Sequence, residues 1–294
     1  MKNLEKQERA REERALQVYK RNDMIQKARF TLTIQEQRSV LYAISKIKPE
    51  DTYLNEYTFE LQDFYRVIGW NKESYNEVKA MLKGLTDKSW WITLPTGEES
   101  VVRWFTTVRV NKSSGKVTIK FHEDMMPYLI QLAKGKEFYT SYQLQYVLPM
   151  SSQYGPRLYE ILKSYQSNNR QWFFTVEDLK HRLDCANYKN FADFKRRALD
   201  PAVEEINKYT DIAIYYSITK EGRKYAKLNF FMDKKTKSEI YQVQKTITEE
   251  LEQMTLEDTL AELQNAPENA FWEERRKAQA EEKAREERLK RFEK

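Results

Sequence analysis

The chain has 294 residues, enough for two compact domains of about 100–150 residues each plus terminal segments. Hydrophobic residues make up 40% and aromatic residues 13%, which provides a core, whereas 33% charged residues and a mean hydropathy of -0.85 place strongly charged segments outside it. A single cysteine, Cys185, excludes an internal disulfide framework and a cysteine-cluster zinc site, and without a signal-like apolar start or an apolar run near the ~20 residues of a membrane span, the sequence predicts a cytoplasmic protein with no membrane contact.

In chain order, residues 1–29 form a charged N-terminal segment in which 4–22 read as an amphipathic helix. Val40, Leu41, Ile44 and Ile47 share one stripe and predict a helix over 33–47, the start of a first domain spanning 30–138. The stretch EYTFELQDFYRVIGW (56–70) then opens as a strand and turns amphipathic at an acid. A helix over 74–89 and a hairpin pairing 101–110 with 116–121 around the turn 111–115 follow. Glu123 and Asp124 read as helix-capping acids rather than metal ligands.

The same order recurs in a second domain, 139–235. Leu158, Ile161, Leu162 and Tyr165 predict a helix over 154–166, and QWFFTVEDLKHRLD (171–184) answers 56–70 at a constant offset of 115, with Phe59, Leu61, Asp63 and Phe64 matched by Phe174, Val176, Asp178 and Leu179. A helix over 190–210 and a hairpin of 212–218 with 225–232 complete it. Helix, short strand, two helices and a two-stranded ribbon is the order of a winged helix, so the predicted fold class is α+β with two tandem winged-helix domains; two unrelated α+β domains are the competing reading. The segment 236–294 is a charged C-terminal tail, rich in opposite charges four residues apart, and reads as a solvated helix or a disordered tail.

Charge is unevenly placed. Residues 140–235 carry 16 Lys and Arg against 11 Asp and Glu, whereas 30–139 carry 15 against 14. A basic excess confined to one folded region points to a polyanion partner. Within it, Lys195-Arg196-Arg197 interrupt the helix 190–210. At about 100° per residue, Phe191, Phe194 and Ala198 face the core, Arg196 points nearly opposite, and Lys195 and Arg197 flank it. That is the placement of a recognition helix in the major groove of double-stranded DNA. Arg196 is expected on bases, where its planar fork suits guanine, and Lys195 and Arg197 on phosphates, with Lys189 just before the helix. The bland alternative is an arginine paired on a solvated surface, because Asp193 and Asp200 lie near it on the wheel. Pro201 is expected to kink the helix beyond the basic turn, or to start a new one capped by Asp200. Lys220, Arg223 and Lys224 mark a hairpin tip, a wing that would reach phosphates, with Lys227 beyond it. The equivalent first-domain residues are Lys72, Lys79 and Lys83 on the helix and Lys112 and Lys116 on the hairpin.

Enzymatic signals are weak. There is no phosphate-binding loop motif, only 7 glycines are present, and His122 and His181 stand far apart, unlike the paired histidines of a metal-dependent nicking nuclease. No catalytic residue, metal site or cofactor is assigned.

The segments KARFTLTIQEQRSVLYAISKI (27–47), FYTSYQLQYVLPMSSQYGPRLYEILKSY (138–165) and LDPAVEEINKYTDIAIYYSITKEGRKYAKLNFFM (199–232) resemble the initiator replication proteins of iteron-containing, theta-replicating plasmids. The EIN, TDI and KEGRK elements are the most specific, and Gly155-Pro156 departs from the small or β-branched residues usual in the family. The resemblance implies a non-catalytic protein that binds direct repeats at a plasmid origin, each monomer using both winged helices. It also implies dominant contacts from the second domain, a dimer interface in the first, autorepression by dimers on an inverted repeat, and recruitment of a host initiator and helicase. On it, Lys195, Arg196 and Arg197 belong to the recognition helix and Lys220, Arg223 and Lys224 to the wing. A winged-helix repressor without an origin role is the alternative.

Overall fold

The computed structural model describes residues 15–48, 51–69, 75–130, 138–166, 170–222 and 224–265, together with Glu12 and Leu132. Two copies of one arrangement follow each other, as expected. In the first, helix α2 (Ile34–Ser45) precedes strand β2 (Glu56–Glu60), helices α3 (Leu61–Ile68) and α4 (Tyr75–Asp87), and strands β5 (Phe105–Asn111) and β6 (Lys116–Phe121). In the second, helix α6 (Gly155–Gln166) precedes strand β8 (Gln171–Thr175), helix α7 (Val176–Arg182), a helical run from Phe191 to Tyr209, and strands β9 (Ile212–Glu221) and β10 (Lys224–Lys234). The sheets have the same antiparallel order, β2-β6-β5 and β8-β10-β9. The offset of 115 is structural: the strands begin at 56 and 171, and the helices behind them at 61 and 176. The matched acids do matched work, Asp63 holding Arg66 at 2.7 Å and Asp178 holding Arg182 at 2.7 Å along their own helices.

Each copy has an aromatic core. Tyr42 of α2 meets Phe59 edge-on, with ring centres 5.1 Å apart, and Phe59 meets Phe64 at 5.3 Å. In the second copy Phe174 packs against Phe230 at 6.0 Å and Tyr142 against Tyr159 at 5.1 Å. Such tilted and edge-to-face pairs add to the burial of large apolar surface. Helix α2 starts at a capping box, where Thr33 Oγ1 accepts from Glu36 N–H and the Glu36 carboxylate accepts from Thr33 N–H at 2.7 Å. Cys185 is buried, and burial pushes its thiol up to about 12.

Three expectations are corrected. Residues 101–110 are not one strand: Glu99–Arg103 (β4) pairs with Ser89–Thr93 (β3) in a hairpin of its own, and only β5 joins β6. Trp104 and Phe105 are adjacent and both buried, and successive side chains of one strand point to opposite faces, so the chain breaks between them. The N-terminal helix expected over 4–22 does not reach its end as a helix. Gln17–Arg21 is strand β1, paired antiparallel with β7 (Tyr139–Gln143), and Asn22–Lys27 is a short helix α1; residues 4–11, 13 and 14 lie outside the described residues. A partner 122 residues away in sequence, Tyr19 against Ser141, overrides the local charge pattern there. Finally, His122 rather than an acid caps the turn at Glu123–Met125, its Nδ1 accepting from Asp124 N–H, while Asp124 accepts from Ser100 Oγ at 2.5 Å.

Beyond β10, α10 (Lys237–Asn265) opens at a second capping box formed by Thr236 and Glu239, and its Val243 and Ile247 are buried. The part beyond Ile247 belongs to a second unit and is helical to Asn265. Of the tail expected over 236–294, residues 266–294 lie outside the described residues. Among the described residues, no helix is long and apolar enough to cross a membrane.

The departure at Gly155 has a packing reason. Glu205 reaches across from the second helical run and accepts hydrogen bonds from the Ser151 and Ser152 backbone N–H groups at 2.8 and 3.1 Å. A Cβ on Gly155 would lie 2.8 Å from the Glu205 carboxylate and 3.0 Å from Met150 Sδ. The substitution Gly155→Ala is therefore expected to destabilise by about 1–3 kcal/mol, as overpacking does, read as a lowered denaturation midpoint in urea with an unchanged slope.

Candidate nucleic-acid interface

The helical run of the second domain is built to turn its basic residues outward. Asn190 caps it, its Oδ1 accepting from Asp193 N–H at 2.8 Å. Phe194, Ala198, Leu199, Ala202 and Ile206 are buried, which anchors one face on the core. Arg196 and Arg197 fall on the other face, with side chains 68% and 59% exposed. The run is continuous in direction but not in hydrogen bonding: Phe191–Phe194 (α8) and Asp200–Tyr209 (α9) are joined by a π turn over Lys195–Leu199. Asp200 N–H bonds to Lys195 C=O, one residue further back than in an α-helix, and Pro201 has no N–H to offer. The irregularity thus coincides with the basic turn instead of following it, and Leu199, not Asp200, stands at the start of α9 with no side-chain cap. The wider turn is what lets the neighbours Ala198 and Leu199 both face the core.

Asp193 and Asp200 set the electrostatics of this surface. Arg196 Nη2 lies 3.1 Å and Arg197 Nε 3.8 Å from the same Asp193 oxygen, and Lys195 Nζ lies 2.5 Å from Asp200. Hydrogen bonds from Asn190 and then Arg196 hold the Asp193 carboxyl below its ordinary value. The bond to Asp200 raises Lys195, and burial followed by the same carboxylate pushes Tyr216 up to about 12, its hydroxyl donating to Asp200 at 2.5 Å. Three cations are thus held on two exposed carboxylates, pairs of small net worth that a phosphate can displace.

The wing is held to this helix by stacked rings. Phe191, expected in the core, is only half-buried and stacks on Tyr225 at 4.3 Å and 23°, while Lys220 Nζ sits 4.6 Å from the other ring's centre. The sequence signal for this was an aromatic residue directly behind the KEGRK turn. Strand pairing runs to the tip, Lys224 opposite Glu221, with Gly222 at φ 62° supplying the left-handed turn. Lys227 lies over the Phe173 ring at 5.6 Å and 4.0 Å from Glu221. Lys189 is exposed ahead of the helix. Arg223 and the Lys224 side chain lie outside the described residues.

The first domain repeats the device with other residues. Lys112 from the β5–β6 tip and Lys79 from α4 both lie over the Tyr75 ring, at 5.2 and 5.6 Å, so an aromatic residue at the start of the helix again meets the wing. Lys83 is paired with Asp87 at 2.5 Å, and Lys116 is exposed opposite Glu60. Lys72 lies outside the described residues. Among the described residues, no contact joins the two basic sets; each sits on its own helix and hairpin.

The EIN and TDI elements prove to be positioning residues. Asn207 clasps Ile214 of β9 through both backbone groups, at 2.8 and 2.7 Å, and Asp211 accepts from Tyr159 at 2.7 Å and Lys163 at 2.5 Å, tying α9, β9 and α6 together beneath the basic turn.

Comparison with known proteins agrees with this architecture. A family model described as Initiator Replication protein, WH1, matches residues 17–163, and one described as Initiator Rep protein, WH2, matches residues 175–232. The chain belongs to the initiator replication protein family, with two winged-helix domains. A PI protein of Escherichia coli is 27% identical over 208 residues, 65% of this chain and 66% of that protein. A replication initiation protein of Escherichia coli is 25% identical over 224 residues, 71% of this chain and 66% of that protein. The chain thus spans just under two thirds of the length of these relatives. The crystal structure of the Pi initiator protein in complex with iteron DNA superimposes with a TM-score of 0.58 at 23% identity, covering 76% of this chain and 99% of that one, a likeness of fold.

Two substitutions test the interface. Tyr225→Ala is expected to weaken specific DNA binding about tenfold by loosening the wing, as truncating a stacking ring worth roughly 1–2 kcal/mol would, whereas Tyr225→Phe keeps the stack and the affinity. Asp193→Asn removes the shared counter-charge of Arg196 and Arg197, so the slope of log K against log salt should steepen by about one; both are read by fluorescence anisotropy across a salt series.

Proposed function

We propose that this protein initiates plasmid replication by binding direct repeats, iterons, at its origin. It reads them with both winged helices and performs no covalent chemistry of its own. The observation that carries this reading is the outward pair Arg196 and Arg197 on the first turns of a helix whose opposite face is pinned by Phe194 and Ala198, in a chain of the initiator family. A helix so placed presents the Arg196 guanidinium fork to base edges in a major groove, with Arg197 and the wing lysines beside it for the backbone. The fold likeness to an initiator bound to iteron DNA supplies the target class.

On this reading Arg196 contacts bases, and Lys189, Lys195, Arg197, Lys220, Arg223, Lys224 and Lys227 contact phosphates. Lys72, Lys79, Lys83, Lys112 and Lys116 give the weaker contacts of the first domain, whose surface carries little net charge. A monomer occupies each repeat. A dimer formed through the first domain represses the protein's own gene on an inverted repeat, and the monomer on its repeats recruits a host initiator and helicase in the cytoplasm. Crowded monomers bend the origin, their binding energy offsetting its deformation.

Footprinting on DNA flanking the protein's own gene, at two salt concentrations, is expected to reveal several evenly spaced direct repeats; protection of a single inverted repeat alone would favour a repressor. Arg196→Ala should cost about 1–3 kcal/mol on the repeat and little on random DNA. Equal losses on both would make it a phosphate contact.

A further inference from the structure

Residues 17–30 cross from one winged helix to the other, and the crossing is held by charge buried out of water. Lys20, on β1, is 3% exposed and Glu160, on α6, is 3% exposed; their side chains form a salt bridge. Tyr142 Oη donates to the same carboxylate oxygen at 2.5 Å. Arg157, one turn back on α6, stands 4.0 Å from the other oxygen and donates to the carbonyls of Ile25 and Ala28 at 2.7 and 2.8 Å. Asn22 donates to Ser164 C=O at 3.1 Å and accepts from Thr140 at 2.7 Å. Apart from the Tyr142 and Arg157 contacts to Glu160, which lie within the second domain and its leading strand, each of these bonds ties the strap to that domain or strand.

The other end of the strap is fixed in the first domain. Phe30 packs against Trp90 and Trp104 with ring centres 5.4 and 5.1 Å apart, and the Arg157 guanidinium lies over Phe30 at 4.8 Å. Trp104 is fully buried in the first domain, so one arginine of the second domain is stacked on the residue that plugs into the first. Burial opposes the charge on Lys20 more strongly than Glu160 supports it, and it brings Arg157 down to about 10. An apolar pair would fill this boundary at no loss of stability; what a buried ion pair adds is a single permitted arrangement, because any slip of β1 or α6 leaves a charge unpaired in a dry place.

We propose that Lys20 and Glu160 are positioning residues for DNA recognition: their buried pair clamps the strap so that the two winged helices meet a repeat at one fixed spacing. This rests on the reading that both domains contact one site. Two domains held in the bound arrangement bind without the ordering cost that loosely tethered ones incur.

The test compares the full chain as wild type, Glu160→Gln, and Lys20→Met/Glu160→Gln. The single variant strands the Lys20 charge. The double variant removes both charges of the pair, leaves Arg157 on the Ile25 and Ala28 carbonyls, and its side-chain amide still accepts from Tyr142. Each is measured on the whole repeat, on a half repeat containing the bases whose protection Arg196→Ala removes, and without DNA by small-angle scattering. The expected result for Glu160→Gln is a larger radius of gyration, a loss of about tenfold or more on the whole repeat with little loss on the half repeat, and a shortened footprint. The double variant, which lacks the pair altogether, should show the same three defects. Wild-type scattering and footprint in Glu160→Gln, equal losses on whole and half repeats, or a double variant that behaves as wild type would each overturn the proposal. If the wild-type chain protects no repeat, the origin reading falls, while the scattering comparison still decides whether the pair holds the domains.

Discussion

The pairing of Gln17–Arg21 with Tyr139–Gln143 is the constraint from which much of the molecule follows. It brings the chain's beginning against the strand that leads into the second winged helix, and in doing so drives Lys20 into a place where water cannot solvate it. Charge in such a place is tolerated only with a partner, and Glu160 on α6 is that partner. Helix α6 is therefore bound on one side by the strap and on the other by Asp211, at the end of the helical run that carries the basic turn. The seating of the strap and the seating of the basic helical run share one helix.

The basic helical run itself combines two opposed demands. A helix resting on the core through Phe194, Ala198 and Leu199 needs its apolar residues in register, while Pro201 removes a donor in the middle of the run. The π turn at Lys195–Leu199 reconciles them by accepting from one residue further along. Such turns are uncommon and often lie at functional sites, and here it falls on the three consecutive cations. Asp193 and Asp200 keep those cations ordered and partly neutralised in the free protein, in exposed pairs that a polyanion can exchange for its own charge at small cost.

The two domains use the same plan for unequal tasks. Both close the gap between helix start and hairpin tip with an aromatic ring under lysine, Tyr75 with Lys112 in the first and the Phe191–Tyr225 stack with Lys220 in the second. The second adds the basic turn. The first instead adds the β3–β4 hairpin, whose outer face shows Trp91 and Val101 directly opposite each other, and carries a near balance of charge.

The sequence by itself determined the repeat, the order of elements that the two copies share, and the outward face of the basic helical run in the second. Those features are written in local periodicity and in an offset of 115 residues, and local rules of helix and strand carry them intact into the structure. Tertiary structure alone decided the rest. The strand at 17–21 exists only because β7 is there to pair with it. Residues 101–110 break in two because Trp104 and Phe105 both have a core to enter. Phe191 leaves the core because Tyr225 offers it a ring outside, and Gly155 is needed because Glu205 arrives from fifty residues away. The burial of Lys20 and Glu160, a charge pair 140 residues apart, had no sign in the sequence, since nothing local distinguishes a lysine that will meet a carboxylate in a dry boundary from one that will meet water.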